Sequence, residues 1–145
     1  MGQQQLLLLI LGIIVVSVAI LYGIQAFDEN NQKAREDNEV AKLVDLATRA
    51  QTWKAKPALM GGGLDGDPAD YSNFTVGTIG LTPSGGPTST PYVDIPGAGC
   101  FRFFMYTDHL RINALNEDCV IGSWTKGVDV TGPTADDITL DYRYR

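Results

Sequence analysis

The chain has 145 residues and a net charge of −6, which comes from 17 acidic and 11 basic side chains. Acids and bases balance within residues 28–56, so the whole excess of negative charge lies after residue 56. An acidic domain repels phosphate backbones, and nucleic acid is therefore not an expected partner. The residues after position 27 are numerous enough for one small domain with its own core.

The first predicted element is an uncharged apolar segment, Leu6–Ile24, and no charged side chain precedes Asp28. At about 1.5 Å per residue, a helix of this length spans about 30 Å, close to the hydrocarbon thickness of a bilayer. The segment is apolar on every side, so it has to be buried in lipid or among other helices.

The flank of this segment differs from that of a secretory signal. No Lys or Arg precedes it, and it is longer than the apolar core of a signal peptide. The missing charges favour a mature chain from which a charged leader has been cut, with Met1 as an ordinary initiator as the alternative.

The helix is predicted to continue beyond the apolar segment, because residues 28–56 contain neither Gly nor Pro. Apolar side chains recur there at spacings of three and four, which is typical of an amphipathic helix. They are Val40, Leu43, Val44, Ala47, Ala50 and Trp53. One helix from about Gln3 to about Lys56 is therefore predicted, ending at Pro57.

Residues 57–99 are rich in Gly and Pro and are predicted to form a long surface loop, with one short strand within residues 73–82. Asp65, Asp67 and Asp70 are weak candidates for a Ca²⁺ site, with an ordinary acidic turn as the competing interpretation. Asn73 begins an Asn-Phe-Thr glycosylation sequon.

From residue 100 onward the apolar period changes from 3.6 to 2, which indicates strands. The predicted strands are Cys100–Tyr106, Leu110–Leu115, Cys119–Thr125 and 138–145. Short connections make the sheet antiparallel, and the amphipathic helix is the available cover for its apolar face. The predicted fold is α+β, with a hydrophobic helix at 1–27 and a globular head at 28–145. The head comprises the amphipathic half of the helix (28–56), the loop (57–99) and the sheet (100–145).

Little in the sequence supports an enzyme. His109 is the sole histidine, so with two cysteines it cannot complete a zinc site without a carboxylate. The chain has no phosphate-binding glycine loop and no GxSxG motif. No cofactor or catalytic residue is expected. Outside the cytoplasm Cys100 and Cys119 would form a disulfide, whereas in the cytosol they would remain free thiols.

The uncharged N-terminal helix, its amphipathic continuation, the loop, the sheet and the two cysteines together resemble the type IV pilins and their pilin-like relatives. The resemblance implies cleavage by a prepilin peptidase and methylation of Met1. It assigns to Gln5 the assembly contact that a glutamate makes in most of the family. The residues expected to form the assembly helix are Leu6, Leu9, Ile13, Val16, Ile20 and Ile24.

The function implied by this resemblance is that of a structural subunit of an extracellular, cell-surface filament. The implied partners are further copies of the chain, the inner membrane before assembly, and the pilus assembly machinery. The alternatives are a pseudopilin of a secretion system and a single-pass anchored domain that binds a ligand outside the cytoplasm.

Overall fold

A computed structural model describes residues 2–64, 66–68, 70–84, 91–115, 119 and 124–142. Helix α1 runs from Gly2 to Ala55, which confirms the prediction of one long helix ending before Pro57. The chain divides into two compact units, residues 1–37 and residues 38–145, and each is described by itself.

The first unit consists, in its described part, of α1 residues alone. Its large apolar side chains from Leu6 to Phe27 leave 45–72% of their surface exposed. The side chains of this unit therefore find no apolar cover within their own unit.

In the second unit, the described residues form five strands that pair antiparallel in chain order. They are β1 (Tyr92–Ile95), β2 (Gly99–Met105), β3 (Leu110–Leu115), β4 (Trp124–Val130) and β5 (Ile138–Tyr142). The α+β fold, with a long N-terminal helix and a C-terminal antiparallel sheet, is confirmed. Residues 143–145 of the last predicted strand lie outside the described residues.

The positions of two strands differ from the prediction. Strand β1 lies inside the predicted loop, where Pro91 and Pro96 bound only four residues and leave too short an apolar pattern to recognise. Strand β4 begins five residues later than the predicted third strand, and residues 120–123 are not among those described. The alternation of apolar and polar residues along β4 is interrupted at Lys126, whose Nζ lies 3.6 Å from the Glu39 carboxylate.

The strand predicted within residues 73–82 is wrong. Val76–Ile79 forms a 3-10 helix that ends at Gly80, whose φ of 78° favours glycine. Phe74 and Val76 are buried in the core, so the apolar pattern reflects anchoring of a turn. Shorter 3-10 helices occupy Ala58–Met60 and Ala135–Asp137.

The core lies between the sheet and the part of α1 that belongs to the second unit. Of the predicted apolar stripe, Leu43, Ala47, Ala50 and Trp53 are buried, whereas Val44 remains 37% exposed and Leu46 takes part instead. The sheet contributes Phe101, Phe103, Leu110, Ile112, Val128 and Val130 from one face. The opposite face, here called the outer face, points away from this core.

Candidate functional site: the apolar helix and the outer face of the sheet

The predicted assembly residues all lie on the exposed part of α1. Leu9 is 64% exposed, Ile13 59% and Ile20 57%, and the remaining members, Leu6, Val16 and Ile24, are similar. Among the described residues, α1 is the one helix long and apolar enough to cross a membrane, and the chain buries none of its most apolar window. Its composition suits a membrane anchor or a signal sequence.

Gln5 and Ser17 are polar residues in the first part of α1. Gln5 is exposed on the helix, and Met1 lies outside the described residues. The hydroxyl of Ser17 donates to the carbonyl oxygen of Ile13 at 2.8 Å, one turn earlier. This bond keeps a polar group satisfied within the apolar segment.

A disulfide joins Cys100 of β2 to Cys119, 19 residues later, with their Cα atoms 5.5 Å apart. The predicted pairing is therefore present, and the alternative of two free thiols does not hold. The bridge closes the segment that contains β3. Disulfides are typical of proteins in oxidising compartments.

Two of the three acidic candidates, Asp67 and Asp70, lie among the described residues. Asp65 lies outside the described residues, and no group of three metal-binding side chains occurs in the part of the chain that is described. The Asp70 carboxylate accepts a hydrogen bond from the Ser72 backbone at 2.8 Å. That bond lowers the pKa of Asp70, with smaller contributions from the Ser72 hydroxyl and the charge of Lys54. Asp70 is thus committed to a turn.

Asn73 is exposed in a turn between the buried residues Tyr71 and Phe74. This position leaves the side-chain amide accessible. Glycosylation at Asn73 stays a prediction.

The outer face carries a polar network that the sequence did not reveal. The Arg111 guanidinium donates to Asn113 Oδ1 at 3.1 Å, to Asp129 Oδ2 at 3.4 Å and to Asp141 Oδ2 at 2.5 Å. Its carbon Cζ lies 4.9 Å from the centre of the Trp124 ring. Strands β3, β4 and β5 therefore all contribute to one arrangement around a single cation.

Aromatic rings border this network. Together with Arg111, Asn113 and Asp141, the side chains of Phe104, Tyr106 and Trp124 line an open depression of about 540 Å³. The ring of Tyr106 stacks on His109 at 4.4 Å, which accounts for the histidine in the β2–β3 turn. Arg102 covers Phe104 at 5.1 Å.

Part of this site was predictable in principle. In β2 and β3 the alternation that puts Phe103 and Ile112 in the core puts Phe104 and Arg111 on the other face. The contributions of Trp124 and Asp141 depend on the register of β4 and β5, which cannot be inferred from the local sequence pattern.

No protein-family model, curated protein or solved structure matches the chain. A long N-terminal apolar helix that continues into a segment packed on an antiparallel sheet is compatible with a pilin-like fold.

Proposed function

We propose that the chain is a structural subunit of an extracellular type IV pilus-like filament that polymerises through its N-terminal apolar helix. One observation carries the proposal: from Leu6 to Phe27 the large apolar side chains are exposed, and no charge interrupts them. A stable soluble protein rarely exposes a contiguous apolar surface of this size to water. The helix must therefore be covered by lipid or by other helices.

The two covers correspond to two stages. In the inner membrane, lipid covers Leu6–Ile24 of the unassembled subunit. The pilus assembly machinery transfers the subunit into the filament, where copies of the same helix replace the lipid. Contacts between different faces of identical subunits generate an open fibre when the rotation from one subunit to the next does not close a ring.

The head is consistent with the outside of such a filament. Its core and its Cys100–Cys119 bridge make it a stable domain in an oxidising environment. The net charge of −6, all of which comes from residues after 56, favours solubility of the head.

The test is negative-stain electron microscopy of filaments sheared from producing cells, with mass spectrometry of their subunit. Ile13→Asp and Leu9→Lys are expected to abolish filaments, because each puts a charge where helices pack without water. Leu9→Ile is the matched control, since it keeps volume and polarity. Variants are compared only where the unassembled subunit accumulates in the membrane as in the wild type.

Wild-type filament yield from Ile13→Asp would overturn the proposal. The proposal would also be overturned if the wild-type chain stayed in the membrane fraction of cells whose machinery assembles another pilin into filaments. That second result would favour the pseudopilin or the anchored binding domain.

A further inference from the structure

The depression on the outer face has the features of a preorganised ligand-binding site. Arg111 is held by three separate acceptors and stacked on Trp124, so it is fixed before any ligand arrives. Asn113, at the floor, is only 5% exposed. Gly127 lies opposite Asn113 in the register, where a Cβ would come within 2.6 Å of Asn113 Oδ1. The floor thus depends on a residue without a side chain.

The charges of the site restrict what can bind. Asp129 and Asp141 flank Arg111, and Arg102 lies over Phe104 at the border, so these four charged groups sum to zero. An anionic ligand would meet two carboxylates. A cationic ligand would meet the Arg111 guanidinium, which already pairs with one oxygen of each carboxylate.

The walls add a second restriction. One face of each of the Phe104, Tyr106 and Trp124 rings is already covered, by Arg102, His109 and Arg111 respectively. The remaining ring surface that lines the depression attracts groups with apolar C–H faces. Between them stand planar hydrogen-bonding groups: a guanidinium, an amide and the carboxylate of Asp141, which is 50% exposed. A suitable ligand is uncharged, has an apolar face and carries several hydroxyl groups at its edge.

We propose that this depression binds a neutral saccharide, with a sugar ring against the aromatic side chains and its hydroxyls on Asp141, Asn113 and Arg111. This binding function is separate from polymerisation, because none of these residues belongs to the apolar helix. It can therefore fail or succeed independently of the filament proposal.

The experiment uses the full chain in nanodiscs of phosphatidylethanolamine and phosphatidylglycerol. Maltoside and glucoside detergents are avoided because their headgroups are sugars. Calorimetry and tryptophan fluorescence follow titration with glucose, galactose, mannose, N-acetylglucosamine and their disaccharides. Glucuronate and glucosamine are the matched anionic and cationic analogues. At least one neutral sugar is expected to bind saturably, and its charged analogues at least tenfold more weakly.

Variants identify the place of binding. Trp124→Ala is expected to weaken binding at least tenfold, and Asp141→Asn at least threefold. Tyr142→Ala, which removes an exposed aromatic ring from the core-facing side of β5, and Asp136→Asn, which removes an exposed charge elsewhere, are expected to bind as the wild type does. Circular dichroism checks the fold of each, and Trp124→Leu replaces Trp124→Ala if the latter unfolds.

Three results would overturn the proposal. The first is no saturable binding of any neutral sugar in the panel. The second is tighter binding of the charged analogues. The third is unchanged affinity in folded Trp124 and Asp141 variants, which would place the sugar elsewhere on the chain.

Discussion

The side-chain nitrogen Nε2 of Gln51 lies 2.7 Å from the carbonyl oxygen of Gly132, 81 residues later in the chain. The same nitrogen donates to the carbonyl oxygen of Thr134, also at 2.7 Å. Gln51 is only 8% exposed, although it sits on a helix whose buried positions are otherwise mainly apolar. The amide thus fastens α1 to the connection between β4 and β5.

The first prediction concerns this connection. Gln51→Leu keeps the volume but leaves the buried carbonyl group of Gly132 and the partly buried hydrogen-bond site at Thr134 without their donor. It is therefore expected to lower the free energy of unfolding by about 1–3 kcal/mol. Urea unfolding of the full chain, followed by circular dichroism in nanodiscs, measures this. Thr52→Ala, at an exposed neighbouring position, is the control and is expected to change stability by less than about 0.5 kcal/mol. A wild-type midpoint for Gln51→Leu would mean that the two bonds contribute nothing.

Gln51 also illustrates where sequence reasoning stops. The length of α1 was predictable because periodicity and the absence of Pro are local properties. The burial of Gln51 and Lys54 was not, because their acceptors, Gly132 and Gly63, lie in irregular segments. Polar residues on a helix are normally exposed, and only the tertiary partner reverses that expectation.

The same reasoning applies to the candidate sites. The apolar segment could be recognised without knowledge of its tertiary contacts, since its composition alone indicates an apolar environment. The outer-face site depends on how four strands are aligned. Trp124 and Asp141 approach Arg111 only through the register of β3, β4 and β5, and register is a long-range property.

The second prediction concerns Tyr71, which is fully buried and whose hydroxyl finds no hydrogen-bond partner among the described residues. Burial, and secondarily the negative charge of Asp137, raise the pKa of Tyr71 to about 12. The neutral hydroxyl is thus favoured in the folded state. Ionisation of Tyr71 therefore leaves the free energy of unfolding unchanged below about pH 10, the pKa in an unfolded chain, and lowers it as the pH rises from 10 towards 12.

Tyr71→Phe removes both the unpaired hydroxyl and its ionisation. It is expected to raise the free energy of unfolding by about 1 kcal/mol at pH 7 and by more at pH 11. Urea titrations at the two pH values measure the difference. Tyr106→Phe, at a 44% exposed ring, serves as the control. A Tyr71→Phe protein that is less stable at pH 7 would show that the hydroxyl is paired after all.

The third prediction concerns the Cys100–Cys119 bridge. Replacing both cysteines by alanine removes a cross-link that closes a loop of 19 residues, and the loop-entropy model gives a loss of about 3 kcal/mol. Thermal unfolding in the absence of reductant compares the variant with the wild type. Dithiothreitol is expected to lower the melting temperature of the wild type and to leave that of the variant unchanged. Equal melting temperatures without reductant would contradict a stabilising bridge.

The last prediction concerns the turn after α1, where Gly63 lies against the indole of Trp53. A Cβ at Gly63 would come within 2.5 Å of two atoms of that ring. The ring cannot move aside easily, because Trp53 Nε1 donates to the Gly61 carbonyl at 3.0 Å and Trp53 is only 6% exposed. Lys54 Nζ also donates to the Gly63 carbonyl, at 2.6 Å.

Gly63→Ala is therefore expected to lower the free energy of unfolding by about 1–3 kcal/mol, as overpacking of a filled site does. Gly77→Ala is the matched control, because a Cβ there meets nothing within 4 Å and its φ is not positive. That change is expected to be neutral or to stabilise the fold by up to about 1 kcal/mol, because alanine reduces the entropy of the unfolded chain. Urea unfolding of the two variants side by side separates the steric effect from the entropic one. Equal stability of the two would mean that the turn shifts freely and does not hold Trp53 in place.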